Sequence, residues 1–388
     1  MARSRILVLT STLPGRMEDG TPAFVADLAL EMGNEYDVRI LAPAVPGAAR
    51  RERLSEHVEV HRFRFFPAKW EDVADGAILE NVRRRRSRLL QIPFLLAGMA
   101  FSIKSSTGDF RPDAVHAHWI IPQGAVASVA TRGVPLVVTT LGGDLYALNS
   151  PLFARIKRRV LRNAAAVTVM NEDMRGIAIS LGARSETTHV MPMGARLSMR
   201  DQRPARAEGP VALLAVGRLV EKKGFDVLLR ALREVSFSYR LQIVGDGPER
   251  AHLETLAAGL PVEFLGQLGR ADLSDVYGRS DIAVFPSRRA STGDQDGLPV
   301  AMLEAMGAGC AIVASDLPGL AEAIQSGQSG IIVRHSSEED LRDAITTLAT
   351  NEGHREALGK AARERSREYS VETVGAGYVD LFRSILRR

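Results

Sequence analysis

Two α/β units, each built on a doubly wound parallel sheet, are the fold this sequence predicts. Short runs rich in Val, Ile and Leu alternate with segments of helical periodicity, the pattern of strands covered by helices on both faces. The 388 residues, 45% hydrophobic and 25% charged, exceed what one ordinary core holds. Residues 198–210, SMRDQRPARAEGP, are polar, contain proline and show no apolar period, so they read as a linker between two series of strands.

The first series comprises residues 5–10, 38–42, 114–116, 136–140, 166–170 and 189–191. A second follows at 211–216, 240–244, 262–265, 282–285, 311–314 and 330–333, each run leading into a helical pattern. Ligands of such sheets bind beyond the carboxyl ends of the strands, so the chemistry is expected in loops that follow strands, in a cleft between the units. The last helical pattern, from Val371, has no strand after it, and periodicity leaves it free to pack on either unit.

Composition narrows the classes. Residues 1–200 hold 27 Lys and Arg against 19 Asp and Glu, and the remainder 23 against 27, giving halves of +8 and −4. The basic first half suits an anionic partner, a membrane surface or an acidic acceptor, although solvation alone accounts for a bias of this size. The single cysteine, Cys310, excludes an intramolecular disulfide and reads as a small buried hydrophobe. MARSRILVLTS offers only a strand's length of apolar residues with no cleavage site after it, so no secretory signal is read and a cytoplasmic protein is expected. The apolar segment 89–103 is expected to be too short to span a bilayer and to be interrupted by Gln91 and Pro93.

In chain order, the first candidate loop is STLPGRMEDGTPAF, where Gly15 and Gly20 precede an amphipathic helix and allow backbone to approach a substrate. ENVRRRRSRLLQIPFLLAGMAF then joins Arg83, Arg84, Arg85, Arg86 and Arg88 to an apolar run. It suits either docking at the anionic inner membrane face or a charged helix end whose apolar part enters the core. PDAVHAHWIIPQG carries His116 and His118 at alternate positions where a strand ends; they are expected to point to opposite sides, leaving one to face the cleft. No carboxylates or third histidine accompany them, so no zinc site is read.

The second half holds the more informative stretches. In VGRLVEKKGFDVLLRAL a strand ends in Gly217, and Arg218 and Lys223 flank a turn closed by Gly224, with Lys222 as an alternative ligand. Arginine offers a bidentate fork and lysine a point charge, and both favour a diphosphate whose charge grows as it leaves. VGDGPER is a strand ending in a tight turn at Gly245, with only two glycines of a dinucleotide fingerprint. DQDGLPVAMLEAMGAG places Asp296 before Gly297, with Glu304 eight residues later. A helix starting near Leu298 aims the free amides of Gly297, Leu298 and Val300 at the Asp296 carboxylate's space, Pro299 supplying none, and Glu304 suits a ribose diol.

In this order, these residues resemble family 4 of the retaining glycosyltransferases, which have the two-Rossmann-domain GT-B architecture, and the likeness extends over nearly the whole chain. It implies that Arg218 and Lys223 bind the donor diphosphate, that Glu304 binds the nucleotide ribose, and that Asp296 contacts the donor sugar. VEFLGQLGRADLSDVYGRSDIAVFPS is similar to the family's nucleotide-base region, which implies a backbone contact around Gly266 to Leu268. VHAHWIIPQG resembles a segment whose second histidine, here His118, faces the donor sugar, and LPGRMEDG a glycine loop over the diphosphate. The sequence departs from the family in three places. The first acid is Asp296 rather than Glu, Leu141 stands before Gly142, Gly143 and Asp144 where many members have His, and Pro192, Met193, Gly194, Ala195 and Arg196 replace Pro-Asn-Gly-Val-Asp.

The resemblance further implies that the segment from Val371 crosses back to the first domain, giving an acceptor-side domain of 1–197 plus 371–388, a linker 198–210 and a donor domain 211–370. The expected activity is transfer of a hexose-type unit from a UDP- or GDP-sugar to a hydroxyl acceptor with retention. The acceptor is expected to be a saccharide, a lipid-linked saccharide in surface polysaccharide or glycolipid assembly, or a small metabolite. The family implies a front-face route in which the departing diphosphate helps take the acceptor proton, without metal or other cofactor. The alternative is a catalytically inactive sugar-nucleotide-binding or assembly subunit of the same fold. A nicotinamide oxidoreductase is disfavoured because neither glycine loop completes GxGxxG with an acid about 20 residues on. The arginine run lacks the interleaved aromatics of a nucleic-acid binder.

Overall fold

The computed structural model describes residues 3–15, 21–75, 78, 81–82, 85–197 and 209–387. They form two compact units, Met1–Gly194 with Val371–Arg388, and Ala195–Ser370. Gly20, and the linker up to residue 208, lie outside the described residues.

The first unit contains β1 (Arg5–Leu9), β2 (Asp37–Pro43), β3 (Arg51–Ser55), β4 (Val58–Phe63), β5 (Ala114–His118), β6 (Leu136–Thr139), β7 (Ala166–Val169) and β8 (Thr188–Val190). Their order is β3-β4-β2-β1-β5-β6-β7-β8, parallel throughout except for the hairpin β3-β4. Ile6 to Leu9 of β1 are all buried, because helices cover both faces of a central parallel strand. The hairpin β3-β4 has no counterpart among the predicted strands. β4 alternates Val58 and Val60 inside with Glu59 and His61 outside, and β3 is an edge strand with exposed Arg51, Glu52 and Arg53. Neither carries the continuous apolar run of a central strand, and the charges protect the open edge from further pairing.

The second unit is a six-stranded parallel sheet of β9 (Val211–Val216), β10 (Tyr239–Val244), β11 (Val262–Gly266), β12 (Ile282–Phe285), β13 (Ala311–Ser315) and β14 (Ile331–Val333), ordered β11-β10-β9-β12-β13-β14. Successive residues of β9 serve opposite faces: Leu213 and Ala215 join one apolar cluster, Leu214 and Val216 the other. Cys310 is buried in the second of these clusters.

Two assignments differ from the sequence reading. Residues 195–197 belong to the second unit, because the Ala195 amide bonds the Tyr369 carbonyl (2.9 Å) and Leu197 packs on Gly307. Residues 86–109 form one helical stretch, a 3-10 turn Arg86–Gln91 running into an α-helix Ile92–Asp109. Pro93 sits in the first α-helical turn, where its missing N–H removes no bond, and the Gln91 oxygen accepts the amides of Asp72 (3.3 Å) and Val73 (3.2 Å). The 24-residue stretch is thus long and apolar enough to cross a membrane by length and composition, yet Leu95, Met99 and Ile103 are buried and the helix packs on β2 and β4. The helix Val371–Leu386 lies in the first unit: Tyr36 donates to the Val379 carbonyl (3.0 Å) and Gly375 fits against Glu31.

Candidate active site

Among the parallel strands, the order reverses between β1 and β5 in one sheet and between β9 and β12 in the other, and loops leaving the carboxyl ends of strands on the two sides of such a point open a crevice for ligands. In the second unit these loops follow β9 and β12. The Gly217 amide bonds the Val244 carbonyl (2.9 Å), the Gly245 amide the Gly266 carbonyl (2.7 Å), and the Leu219 amide the Asp246 carbonyl (3.0 Å), so the loops after β9, β10 and β11 are stitched together. Gly245, at φ 132°, is a necessary residue here, since a Cβ would lie 2.0 Å from the Gly217 carbonyl oxygen.

Beyond Gly217 the chain forms a 3-10 turn, Glu221–Lys223, ended by Gly224 in the left-handed region. The turn presents Lys222 and Lys223 to the loop after β12. Lys223 Nζ lies 2.8 Å from Asp296 Oδ2, which also accepts the Ser287 hydroxyl at 2.8 Å; Lys222 Nζ lies 3.1 Å from Asp294 and 3.6 Å from Asp296 Oδ1. Main chain reinforces the side chains, for the Arg288 amide bonds the Lys222 carbonyl (2.8 Å) and Ser291 donates twice to the Glu221 carboxylate. Burial alone would raise the Asp296 pKa, but the two lysines and Ser287 outweigh it and hold the carboxyl at about 2. Burial likewise opposes the charge of Lys222, and Asp296 and Asp294 overcome it, keeping this amine above the ordinary lysine value. Arg218 stands exposed at the start of the same loop; partial burial of its guanidinium lowers its pKa, and Asp294 opposes that shift. The arrangement is three cations around two carboxylates, a group with a remaining positive charge that suits an anionic ligand. Lys223 and Asp296, expected to have separate tasks, are joined in one ion pair.

The helix after this loop starts at Val300, not near Leu298. The residue before a proline is pushed out of the helical region, and Pro299 itself holds ψ at 118°, so Gly297 and Leu298 stay in the loop. Glu304, in the second turn, accepts the Tyr277 hydroxyl at 3.0 Å. Tyr277 was not among the expected residues. Its phenol, pushed well above the usual tyrosine range by burial and then by Glu304, is a fixed donor that orients the carboxylate. Gly266 ends β11 at φ 70°, and the Leu268 side chain packs on the apolar cluster behind the site.

In the first unit β5 ends at His118, and both histidines are buried. Their rings lie 4.2 Å apart, centroid to centroid, on one side of the sheet. The expectation of opposite sides fails because strand side chains alternate with period two, so positions two apart share a face. His116 Nε2 lies 2.7 Å from Thr139 Oγ1, which lies 2.6 Å from Thr168 Oγ1, and Tyr378 of the C-terminal helix donates to Thr168 at 3.0 Å. This anchors His116 structurally. His118 Nδ1 has no hydrogen-bond partner among the described residues, and burial lowers its pKa to about 3. Trp119 follows at φ 86°, a strained value for a bulky residue. With its amide oxygen turned toward Ser11, Gln123 accepts the Ser11 amide (3.0 Å) and hydroxyl (3.1 Å) and donates to the His118 carbonyl (3.3 Å), tying the loop that leads to Gly15 onto β5. Asp144 is buried and accepts the Ile120 amide (2.6 Å) and Thr140 hydroxyl (2.7 Å), while Leu141 is half-buried and Met193 buried.

His118 makes stability depend on pH. Between pH 6.5 and about 3 the unfolded chain binds a proton there that the folded chain refuses, so stability present above pH 6.5 is lost as pH falls. Within that window the slope is expected to reach about 1.4 kcal/mol per pH unit from this residue, and to flatten by that amount in His118→Asn; urea midpoints measured across the range check it.

Residues 199–365 match the family model described as glycosyl transferases group 1, and residues 19–194 match the glycosyl transferase 4-like domain. The sulfoquinovosyl transferase SQD2 of Arabidopsis thaliana is 28% identical over 304 residues, 72% of this chain and 58% of that protein. A glycogen synthase of Mycobacterium tuberculosis is 26% identical over 308 residues, 74% of this chain and 72% of its own length. Among solved structures, the sucrose-phosphate synthase of Thermosynechococcus elongatus superposes with a TM-score of 0.82 at 20% identity, over 99% of this chain and 100% of that one. The Anabaena protein HepE in complex with UDP and glucose gives 0.72 at 19% identity, over 98% and 100%.

Proposed function

The chain belongs to the glycosyl transferases group 1, and on that premise we propose that it is a retaining hexosyltransferase drawing on a UDP- or GDP-sugar. The observation that carries this reading is the cluster of Arg218, Lys222, Lys223, Asp294 and Asp296 gathered from two loops beside the β9–β12 reversal. A glycosyl diphosphate leaves with increasing charge on its oxygens, and fixed cations in a partly desolvated crevice stabilise that charge more in the transition state than in the bound donor. The same cations do what a divalent ion does elsewhere, so the reaction is proposed to run without one. Glu304, held by Tyr277, takes the ribose hydroxyls; the UDP carried by the Anabaena neighbour supports a uridine donor. His118, neutral at physiological pH, contributes a hydrogen bond rather than a charge to the sugar. The acceptor is proposed to be a hydroxyl of a saccharide, free or lipid-linked.

Calorimetry of the purified protein against UDP, GDP, ADP and their hexose conjugates, without metal and then with magnesium, tests the reading. One diphosphate nucleotide is expected to bind without magnesium, and Glu304→Ala to weaken it by about tenfold, the worth of a charged hydrogen bond. If no nucleotide binds under either condition, the donor assignment is wrong.

A further inference from the structure

The stretch Arg86–Asp109 has two faces of unequal explanation. Its inner positions Leu95, Met99 and Ile103 pack in the first unit, but the outward positions Leu90, Phe94 and Phe101 are also apolar, Leu90 and Phe101 being 71% and 76% exposed. These three recur at helical spacing, with Leu89 and Leu96 also exposed beside them. The Phe66 ring of the adjoining segment meets Phe94 edge-on at 5.3 Å, and the same segment carries exposed Trp70. Among the described residues of the first unit none covers this patch, and single exposed apolar residues are ordinary whereas a continuous cluster of them is not.

Charge identifies the occupant. From Glu80 to Asp109 the sequence carries six cations, Arg83, Arg84, Arg85, Arg86, Arg88 and Lys104, and no acid between. Arg88 is spent on Asp72 (2.7 Å), and Glu71 is buried beneath Arg64, but Arg85, Arg86 and Lys104 are exposed at the two ends of the apolar stripe. A second copy docked symmetrically here would set these cations against their own equivalents, which is unfavourable. Aromatic and leucine side chains flanked by arginine and lysine suit a surface that is apolar inside and negative at its rim. We propose that this face docks the protein on an anionic lipid bilayer, lying in the interface with Leu90, Phe94 and Phe101 inserted. The inner face of the helix stays on β2 and β4, so the helix lies on the membrane and does not cross it.

Co-sedimentation of the full chain with vesicles tests this without reference to transferase activity. Binding is expected to phosphatidylcholine vesicles containing phosphatidylglycerol, weakened by salt, with little on phosphatidylcholine alone. Phe94→Asp with Phe101→Asp is expected to lower the partition coefficient at least about tenfold. Arg85→Gln with Arg86→Gln is expected to lower it about fivefold per cation removed, with thermal midpoints and nucleotide affinity unchanged in both variants. Wild-type protein left in the supernatant with anionic vesicles at low salt would overturn the proposal, as would equal binding to neutral vesicles. So would a solution dimer that Phe101→Asp alone converts to monomer.

Discussion

Arg218→Ala is expected to lower kcat by more than about a hundredfold while leaving the thermal midpoint nearly unchanged. The side chain is exposed at the start of the loop after β9, so its removal opens no cavity in the core. What it takes away is a charge-assisted contact to the leaving diphosphate, worth about 3 kcal/mol in an organised site. Lys223→Ala is expected to cost as much activity but also stability, because Lys223 neutralises the buried Asp296 carboxylate at 2.8 Å. Steady-state kinetics with a saturating donor, read beside thermal melts, separates the two effects. Turnover within a fewfold of wild type in both variants would refute the diphosphate assignment.

Gly224→Ala is expected to destabilise the second unit by about 3 kcal/mol and to abolish most activity with it. Two costs act together at this residue. Its φ of 64° is left-handed, and a Cβ would lie 2.0 Å from the carbonyl oxygen of Pro286, the residue that leads into the loop bearing Ser287. Relief requires the lysine turn and that loop to separate, and their separation breaks the pairing of Lys222 and Lys223 with Asp294 and Asp296. Gly259→Ala is the control: φ there is +81° but no atom lies within 4 Å of the added Cβ, so only about 1 kcal/mol is expected. Urea unfolding of both variants distinguishes steric from purely conformational cost; equal losses would show that the Pro286 contact is not what restrains this position.

The two parallel sheets were legible because a strand buried on both faces must be apolar at every position, and such runs stand out between helical patterns. The edge hairpin β3-β4 was not, since its outward residues are charged and its burial is one-sided. The loops bearing Arg218, Lys223 and Asp296 were legible for a related reason: each follows the end of an apolar strand, where a parallel fold places its ligand loops. Tyr277 gave no comparable signal. A tyrosine near the end of the helix Arg270–Arg279 reads as packing until its hydroxyl is seen to meet a carboxylate 27 residues away.

By itself the sequence determined the strand series, the chain segments that form the site loops and the charges they carry, because burial pattern and turn chemistry act over a few residues. Tertiary structure alone decided which charges meet. Lys223 and Asp296 are 73 residues apart, and they pair because the sheet order places β12 beside β9 and brings together the loops that follow those strands. The bond between His116 and Thr139, the Tyr378 anchor from the C-terminal helix and the uncovered apolar stripe from Leu90 to Phe101 were decided in the same way. Each depends on what packs against a residue, and spacing along the chain fixes only the direction in which that residue points.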